Sequence, residues 1–273
     1  VYDAASRLVS LIYPDQSTVT YQYDSLNRLS AIPGYADFTY STDSLLESMT
    51  FSNGVVTEYQ YDDCHRPISI HAHRNDSDLL LLNYQYDPVG NVTELEYDRS
   101  NGQEWVQSRE IFQYDWLDRL TSAQGEYGLL LYSYDSVGNR SSVNGLVYSY
   151  NSMNELLSIS DGTEFTYDEK GNRLTKSSNT DTWSYTYDAR NILTQVEKNQ
   201  QIIGQYSYDG DGKRIQKTEW IESLQVYQTI VYVYSGSNVI YEKNLNTSQE
   251  ATYVYGPTGV IAKKAAGLQD YYH

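Results

Sequence analysis

The stretch YQYDSLNRLSAI, residues 21–32, sets the pattern of the whole chain. Two tyrosines stand two residues apart with Gln between them, and an Asp follows the second tyrosine. Aromatic-polar-aromatic at period two describes a strand with one apolar face, because successive side chains of a strand point to opposite sides. A helix would scatter these rings around its circumference. Numbering each copy by its Tyr gives anchors at Tyr2, Tyr23, Tyr40, Tyr61, Tyr86, Tyr114, Tyr134, Tyr150, Tyr167, Tyr187, Tyr208, Tyr234 and Tyr255, about 21 residues apart on average. Nine anchors carry Asp next: Asp3, Asp24, Asp62, Asp87, Asp115, Asp135, Asp168, Asp188 and Asp209. Asn151 follows Tyr150, Ser follows Tyr40 and Tyr234, and Gly follows Tyr255. After the first copy, the residue two before the anchor is always Tyr or Phe.

Four residues after each anchor stand Ser6, Asn27, Ser44, His65, Gly90, Asp118, Gly138, Asn154, Gly171, Asn191, Gly212, Asn238 and Gly259. All are Gly, small polar residues or His, types that tolerate positive φ or sit readily in turns, so a tight turn is expected after every anchor. An Asp at a turn entrance accepts N–H groups from residues two or three ahead. Arg7, Arg28, Arg66 and Arg119, with Arg140, Arg173 and Arg214 one place later, are positioned to meet that carboxylate or a Tyr ring. The far end of each copy carries a second turn signal. Asn53-Gly54, Asn101-Gly102, Asn144-Gly145 and Asp161-Gly162 suit type I′ hairpins, while Pro33-Gly34 and Gln124-Gly125 mark turns less specifically. The expected fold is all-β: an antiparallel hairpin meander of thirteen copies, with Tyr97-Asp98 inside a longer hairpin arm. About 26 strands at ~4.8 Å spacing make a sheet roughly 125 Å wide. Such a sheet must curl or fold over to cover its aromatic face, and a partial spiral, an open shell segment, is the expected form.

Composition bounds the function. Thirty Tyr against four Phe is unusual, and 36 acidic against 19 basic residues give a net charge of −17. That balance opposes nucleic-acid binding and attraction to anionic membranes. No apolar run reaches the length of a membrane span. The single cysteine, Cys64, excludes an internal disulfide framework, and no Cys-His pattern marks it as a nucleophile. The chain opens on VYDAASRL in mid-pattern, which reads as one repeat domain, residues 1–273, from a larger protein.

Paired acids across a cleft perform glycosidase chemistry, but acids recurring at every turn of a sheet are turn formers; no catalytic residue is assigned. His71 and His73 lie two apart on a strand and face the same way, as metal ligands sometimes do. His65 is explained by its turn position, so solvent-exposed strand histidines are the simpler reading, and no metal or cofactor is expected. The tyrosine face has two readings, a carbohydrate-stacking surface or cross-strand aromatic ladders lining the wall, the second being favoured.

The copies FTYDEKGNRLTK (165–176) and YSYDSVGNRSSV (132–143) resemble the RHS/YD-repeat family, which includes bacterial polymorphic toxins, Tc toxin C subunits, wall-associated proteins and teneurins. The resemblance covers essentially the whole chain. It implies a hairpin sheet spiralling into a hollow shell that, in the toxins, holds an unfolded toxic C-terminal segment. It further implies a secreted or cell-surface parent whose own polypeptide is the partner; a recognition module for glycans or receptors is the alternative. The tail YVYGPTGVIAKKAAGLQDYYH looks like the approach to the family's self-cleavage region and stops before it, so no cleavage residues carry over.

Overall fold

The computed structural model describes residues 1–100, 105–265 and 267–272, which leaves the Asn101-Gly102 dipeptide outside the described residues. The described residues form twenty-seven strands and no helix. The chain divides into two compact units, Val1–Leu129 with Thr252–His273, and Leu130–Ala251.

In the first unit a small hairpin, Ser10–Ile12 with Thr18–Thr20, precedes the meander. From Gln22–Tyr23 onward each strand pairs antiparallel with the next: Leu29–Ile32, Ala36–Tyr40, Leu46–Phe51, Val55–Tyr61, Pro67–Arg74, Ser77–Tyr86, Val92–Ser100, Trp105–Tyr114 and Leu120–Gly125. Tyr97-Asp98 lies inside the long arm Val92–Ser100, opposite Ser108 and Gln107. Gly259–Ala265 pairs with Leu268–Tyr271. The core lies where C-terminal residues meet the N-terminal strands. Tyr13, Ile32, Met49, Phe51, Val55, Val254 and Ile261 are all at most 2% exposed. Tyr13 Oη donates to the Tyr253 carbonyl at 3.0 Å, and the Phe51 and Tyr271 rings meet edge to face at 5.7 Å. Gly256 permits the close approach, since a Cβ there would lie 2.7 Å from Ile261 Cγ2 and 3.2 Å from Phe38 Cζ.

The second unit repeats the meander, from Gly128–Tyr134 and Arg140–Val143 through Thr163–Tyr167, Arg173–Ser177 and Thr182–Tyr187 to Val226–Ser235 and Asn238–Asn244. Its paired aromatics are mostly half-buried while the polar residue between them is exposed, the alternation expected of a sheet with one apolar face.

A feature the repeat pattern did not disclose recurs throughout: the register slips by one residue at the anchor. Tyr23 faces Leu29 but Gln22 faces Ala31, so Ser30 is left over as a bulge. The same slip occurs at Tyr40, Tyr61, Tyr114, Tyr134, Tyr150, Tyr167, Tyr187 and Tyr208. A bulge bends its strand and raises the local right-handed twist. At two of these bulges the extra residue is a Thr whose hydroxyl bonds back across the pair, Thr121 to the Gln113 carbonyl and Thr194 to that of Thr186, both at 3.1 Å.

One of the expected type I′ turns is met, and four other turn expectations are corrected. Asn144-Gly145 has both residues at positive φ (47° and 84°), as a type I′ turn requires. At Asn53-Gly54 and Asp161-Gly162 only the glycines do. There the Asn53 and Asp161 side chains accept the N–H of Val55 and Thr163, which holds the polar residue out of the left-handed region. Gly125 ends a strand instead of turning; Gly128, at φ +87°, serves that hairpin. Asn238 is not left-handed either. Ser235 pairs directly with Asn238, so the bend falls on Gly236 at φ +59°.

Candidate functional site

The repeated turn is where the chain concentrates its charge, and its geometry is nearly invariant. At Asp24 the backbone N–H donates to the Arg28 carbonyl at 2.9 Å, and Asn27 N–H returns to the Asp24 carbonyl at 3.1 Å. Inside this loop Asp24 Oδ1 accepts the N–H groups of Leu26 (2.8 Å) and Arg28 (2.9 Å), while Oδ2 accepts Arg28 Nε at 2.7 Å. Asp3, Asp62 and Asp115 repeat the set with Arg7, Arg66 and Arg119. Asp87, Asp135 and Asp168 use Asn91, Asn139 and Asn172 in place of Arg. Asp188 draws on Arg190 and Ile192, and Asp209 on the N–H groups of Asp211 and Lys213. At Asn151 the polarity inverts: its Nδ2 donates to Glu155 Oε2 at 2.6 Å, while its Oδ1 accepts the Met153 and Glu155 N–H groups.

The residue four after the anchor is left-handed in twelve of the thirteen turns, including Gly90, Gly138, Gly171 and Gly212, with Asn238 the exception. These bonds hold the carboxyls down. Hydrogen bonds from Arg7, Arg66 and Arg119 lower Asp3, Asp62 and Asp115 below the ordinary aspartate value, and backbone and side-chain bonds from Arg28 lower Asp24. At Asp87 and Asp135 desolvation alone would raise the carboxyl, but bonds from Asn91 and Asn139 and the loop amides outweigh it. Oxygens so occupied are poor general bases; the geometry is that of a clasp.

The clasp also reaches sideways. Nine anchor tyrosines donate their hydroxyls to a carbonyl just past the preceding module's turn. In the first unit these are Tyr23 to Leu8, Tyr40 to Leu29, Tyr61 to Leu46, Tyr86 to Pro67 and Tyr114 to Val92, at 2.7–2.9 Å. In the second unit Tyr150, Tyr167, Tyr187 and Tyr234 reach Arg140, Leu156, Arg173 and Arg214. The guanidinium groups of Arg7, Arg28 and Arg66 lie over the next module's anchor ring, 4.5–4.9 Å from its centre. Arg173, one place later in its turn, sits 4.4 Å from the Tyr185 ring. Asn91, Asn139 and Asn172 link their own aspartate to the next turn's Asp118, Asn154 and Asn191 at 3.0–3.1 Å. The sequence pointed to the Asp clasp and the Arg–Tyr stack. The hydroxyl staple was not legible there, because its carbonyl partner has no sequence signature.

The remaining predicted positions are Cys64 and the histidine pair. Cys64 is exposed in its turn, its N–H bonded to Asp62. His71 and His73 do share a face, their ring centres 5.0 Å apart, and Glu58 on the neighbouring strand joins them. Of the aromatics two before the anchors, Tyr21, Phe38 and Phe165 are buried and the others half-buried, and burial pushes the Tyr59 hydroxyl up to about 12.

Comparison with known proteins agrees with this geometry. The teneurin YD-shell profile matches residues 34–262 and the RHS repeat profile residues 2–32. Among curated proteins, the tRNA nuclease WapA of Bacillus subtilis (strain 168) is 29% identical across 97% of this chain, and the double-stranded DNA deaminase toxin A of Burkholderia cenocepacia (strain H111) is 25% identical across 94%. The chain spans only 11% and 20% of those two proteins. Among solved structures, TcdB2-TccC3 without its hypervariable C-terminal region superposes with a TM-score of 0.81 over all of this chain and 16% of that one, at 21% identity. The Photorhabdus luminescens Tc holotoxin pore carrying TccC3-D651A gives 0.71 over 99% of this chain and 15% of its own, at 21% identity. These likenesses show the fold, the all-β hairpin shell segment that the repeat predicts. The chain belongs to the RHS-repeat and teneurin YD-shell family.

Proposed function

We propose that this chain is a non-catalytic stretch of wall in a larger secreted or translocated protein, and that the wall encloses a polypeptide cargo, a toxic C-terminal segment of the same parent. The observation that carries the reading is the employment of the repeat carboxylates. Each clasps the amides of its own turn, and the anchor tyrosines and Arg or Asn side chains tie one hairpin to the next. A second support comes from the relatives. Proteins named for two different chemistries, tRNA cleavage and DNA deamination, share this segment across nearly all of its length, although it is at most a fifth of either. A segment common to both is suited to the part they hold in common and not to either reaction. In the second unit the aromatic face is half-buried, which leaves ring surface to line an enclosure. On this reading the partners are the rest of the parent and its cargo, and the tyrosines serve the lining before any glycan.

The test is limited proteolysis of the full-length parent followed by mass spectrometry. The C-terminal segment should resist protease in the intact protein and become labile when anchor tyrosines are replaced by Ala. A C-terminal segment cut as fast in the intact protein as when expressed alone would refute enclosure. Turnover of tRNA or double-stranded DNA by residues 1–273 alone would refute the non-catalytic role, and a specific hit on a glycan array would favour recognition.

A further inference from the structure

We propose that Glu58, His71 and His73 form a binding site for a zinc-class divalent ion on the face of the sheet opposite the aromatic core. The site is built by register. Glu58 on Val55–Tyr61 stands directly across from His71 on Pro67–Arg74, and His73 follows two residues on, on the same face. The alternate residue Ala72 is 1% exposed and marks the opposite, covered face. One nitrogen from each imidazole and one Glu58 oxygen lie within 4.8 Å of one another. His73 Nε2 is 3.8 Å from Glu58 Oε2.

One nitrogen of each ring is already engaged. His71 Nε2 lies 2.7 Å from Asp78 Oδ1, and His73 Nδ1 lies 3.3 Å from the Asn75 carbonyl. A carboxylate or carbonyl that takes one imidazole N–H fixes the tautomer and leaves the opposite nitrogen with its lone pair available. On this arrangement His71 offers Nδ1 and His73 offers Nε2, each ring held in place by its outer partner. The carboxylates of Glu58 and Asp78 lie beside the two imidazoles, and a dication bound there would offset their charge. Imidazole with carboxylate is a donor set suited to zinc and its neighbours. Metal–nitrogen bonds of about 2.0–2.1 Å place tetrahedral ligand atoms roughly 3.3 Å apart. Contraction to that spacing can draw on Glu58, whose side chain is 56% exposed. The bound ion would fasten Val55–Tyr61 to Pro67–Arg74, with Asp78 bringing in Ser77–Tyr86.

The experiment uses untagged, chelator-stripped residues 1–273 and zinc chloride alone, followed by titration calorimetry, and cobalt(II) absorption as a second probe. One equivalent should bind, and the urea midpoint should rise with zinc concentration. His71→Ala and His73→Ala should each weaken binding more than about tenfold, and Asp78→Asn about ten- to a hundredfold as an outer partner. Variants are compared with the parent chain by urea midpoint in chelator, and Glu58→Gln provides a further exposed substitution should a histidine variant fold poorly. Cys64→Ser and His65→Ala should bind as the unmodified chain does. Absence of saturable binding, unchanged affinity in the histidine variants, or loss of binding in Cys64→Ser would each overturn the proposal.

Discussion

Replacing an anchor tyrosine by phenylalanine keeps the ring, its packing and its stack with arginine, and deletes only the hydroxyl staple. Tyr40→Phe removes the 2.8 Å bond from Tyr40 Oη to the Leu29 carbonyl, while Arg28 remains over the ring. A net intramolecular hydrogen bond contributes about 0.5–1.5 kcal/mol. The Leu29 carbonyl is half-buried, so water compensates part of the loss and about 1 kcal/mol is expected. Tyr167→Phe, which removes the 2.9 Å bond to the Leu156 carbonyl, should cost the same. The two sites lie in different units and share no partner, so the double variant should lose about 2 kcal/mol. Tyr2→Phe is the control: Tyr2 is 67% exposed, and surface changes usually stay within about 0.5 kcal/mol. Equilibrium urea unfolding followed by circular dichroism measures all four proteins. Single variants indistinguishable from the control would refute the staple as the tie between modules.

Other outcomes follow from the same geometry. The clasped carboxyls, Asp3, Asp24, Asp62 and Asp115 among them, titrate lower in the fold than in the unfolded chain, whose value is near 3.8. Their contribution is therefore complete above that value and lost as pH falls through the depressed folded values; a urea midpoint that does not fall between pH 4 and pH 2 contradicts it. Tyr59, raised by burial, works at the other end. The unfolded phenol ionises near 10 and the folded one near 12, so stability is present below pH 10 and declines above it, read as a late tyrosinate absorbance coincident with unfolding. Gly212, at φ +81°, should lose about 1–2 kcal/mol on substitution by Ala and less by Asn, the residue found at that slot in Asn27, Asn154 and Asn191; equal losses would show that the conformation is not what matters. Ile261→Ala, deep in the first unit's core, should cost about 2–5 kcal/mol by urea unfolding, and a cost under 1 kcal/mol would remove the C-terminal strands from that core.

Local chemistry made the modules legible, while partners several modules away did not announce themselves. A Tyr-Asp pair, a residue tolerant of positive φ and an alternating aromatic face lie within eight residues, and each predicts its own conformation. The bulge at Ser30 is invisible because any residue can occupy it; it exists to reconcile a tight turn with the pairing of Gln22 and Ala31. The Asx side chains of Asn53 and Asp161 reset their turns because a bond to the amide two ahead competes with a left-handed φ. Glu58 was missed at the histidine cluster for a related reason: it lies thirteen residues from His71 in sequence and is brought opposite only by strand register. The covering of Phe51 by Tyr271 depends on segments from opposite ends of the chain.

The central claim is that the repeat side chains clasp each turn and tie it to the next. Residue-resolved amide exchange on Asp168→Ala tests it most directly. Asp168 holds the Lys170 and Asn172 amides, and Asn172 in turn reaches Asn191. The prediction is faster exchange at Lys170 and Asn172 and, through the lost tie, at Arg190 and Ile192 in the following turn, with Leu26 and Arg28 in the other unit unchanged. Acceleration confined to the mutated turn, or none at all, would contradict the ladder.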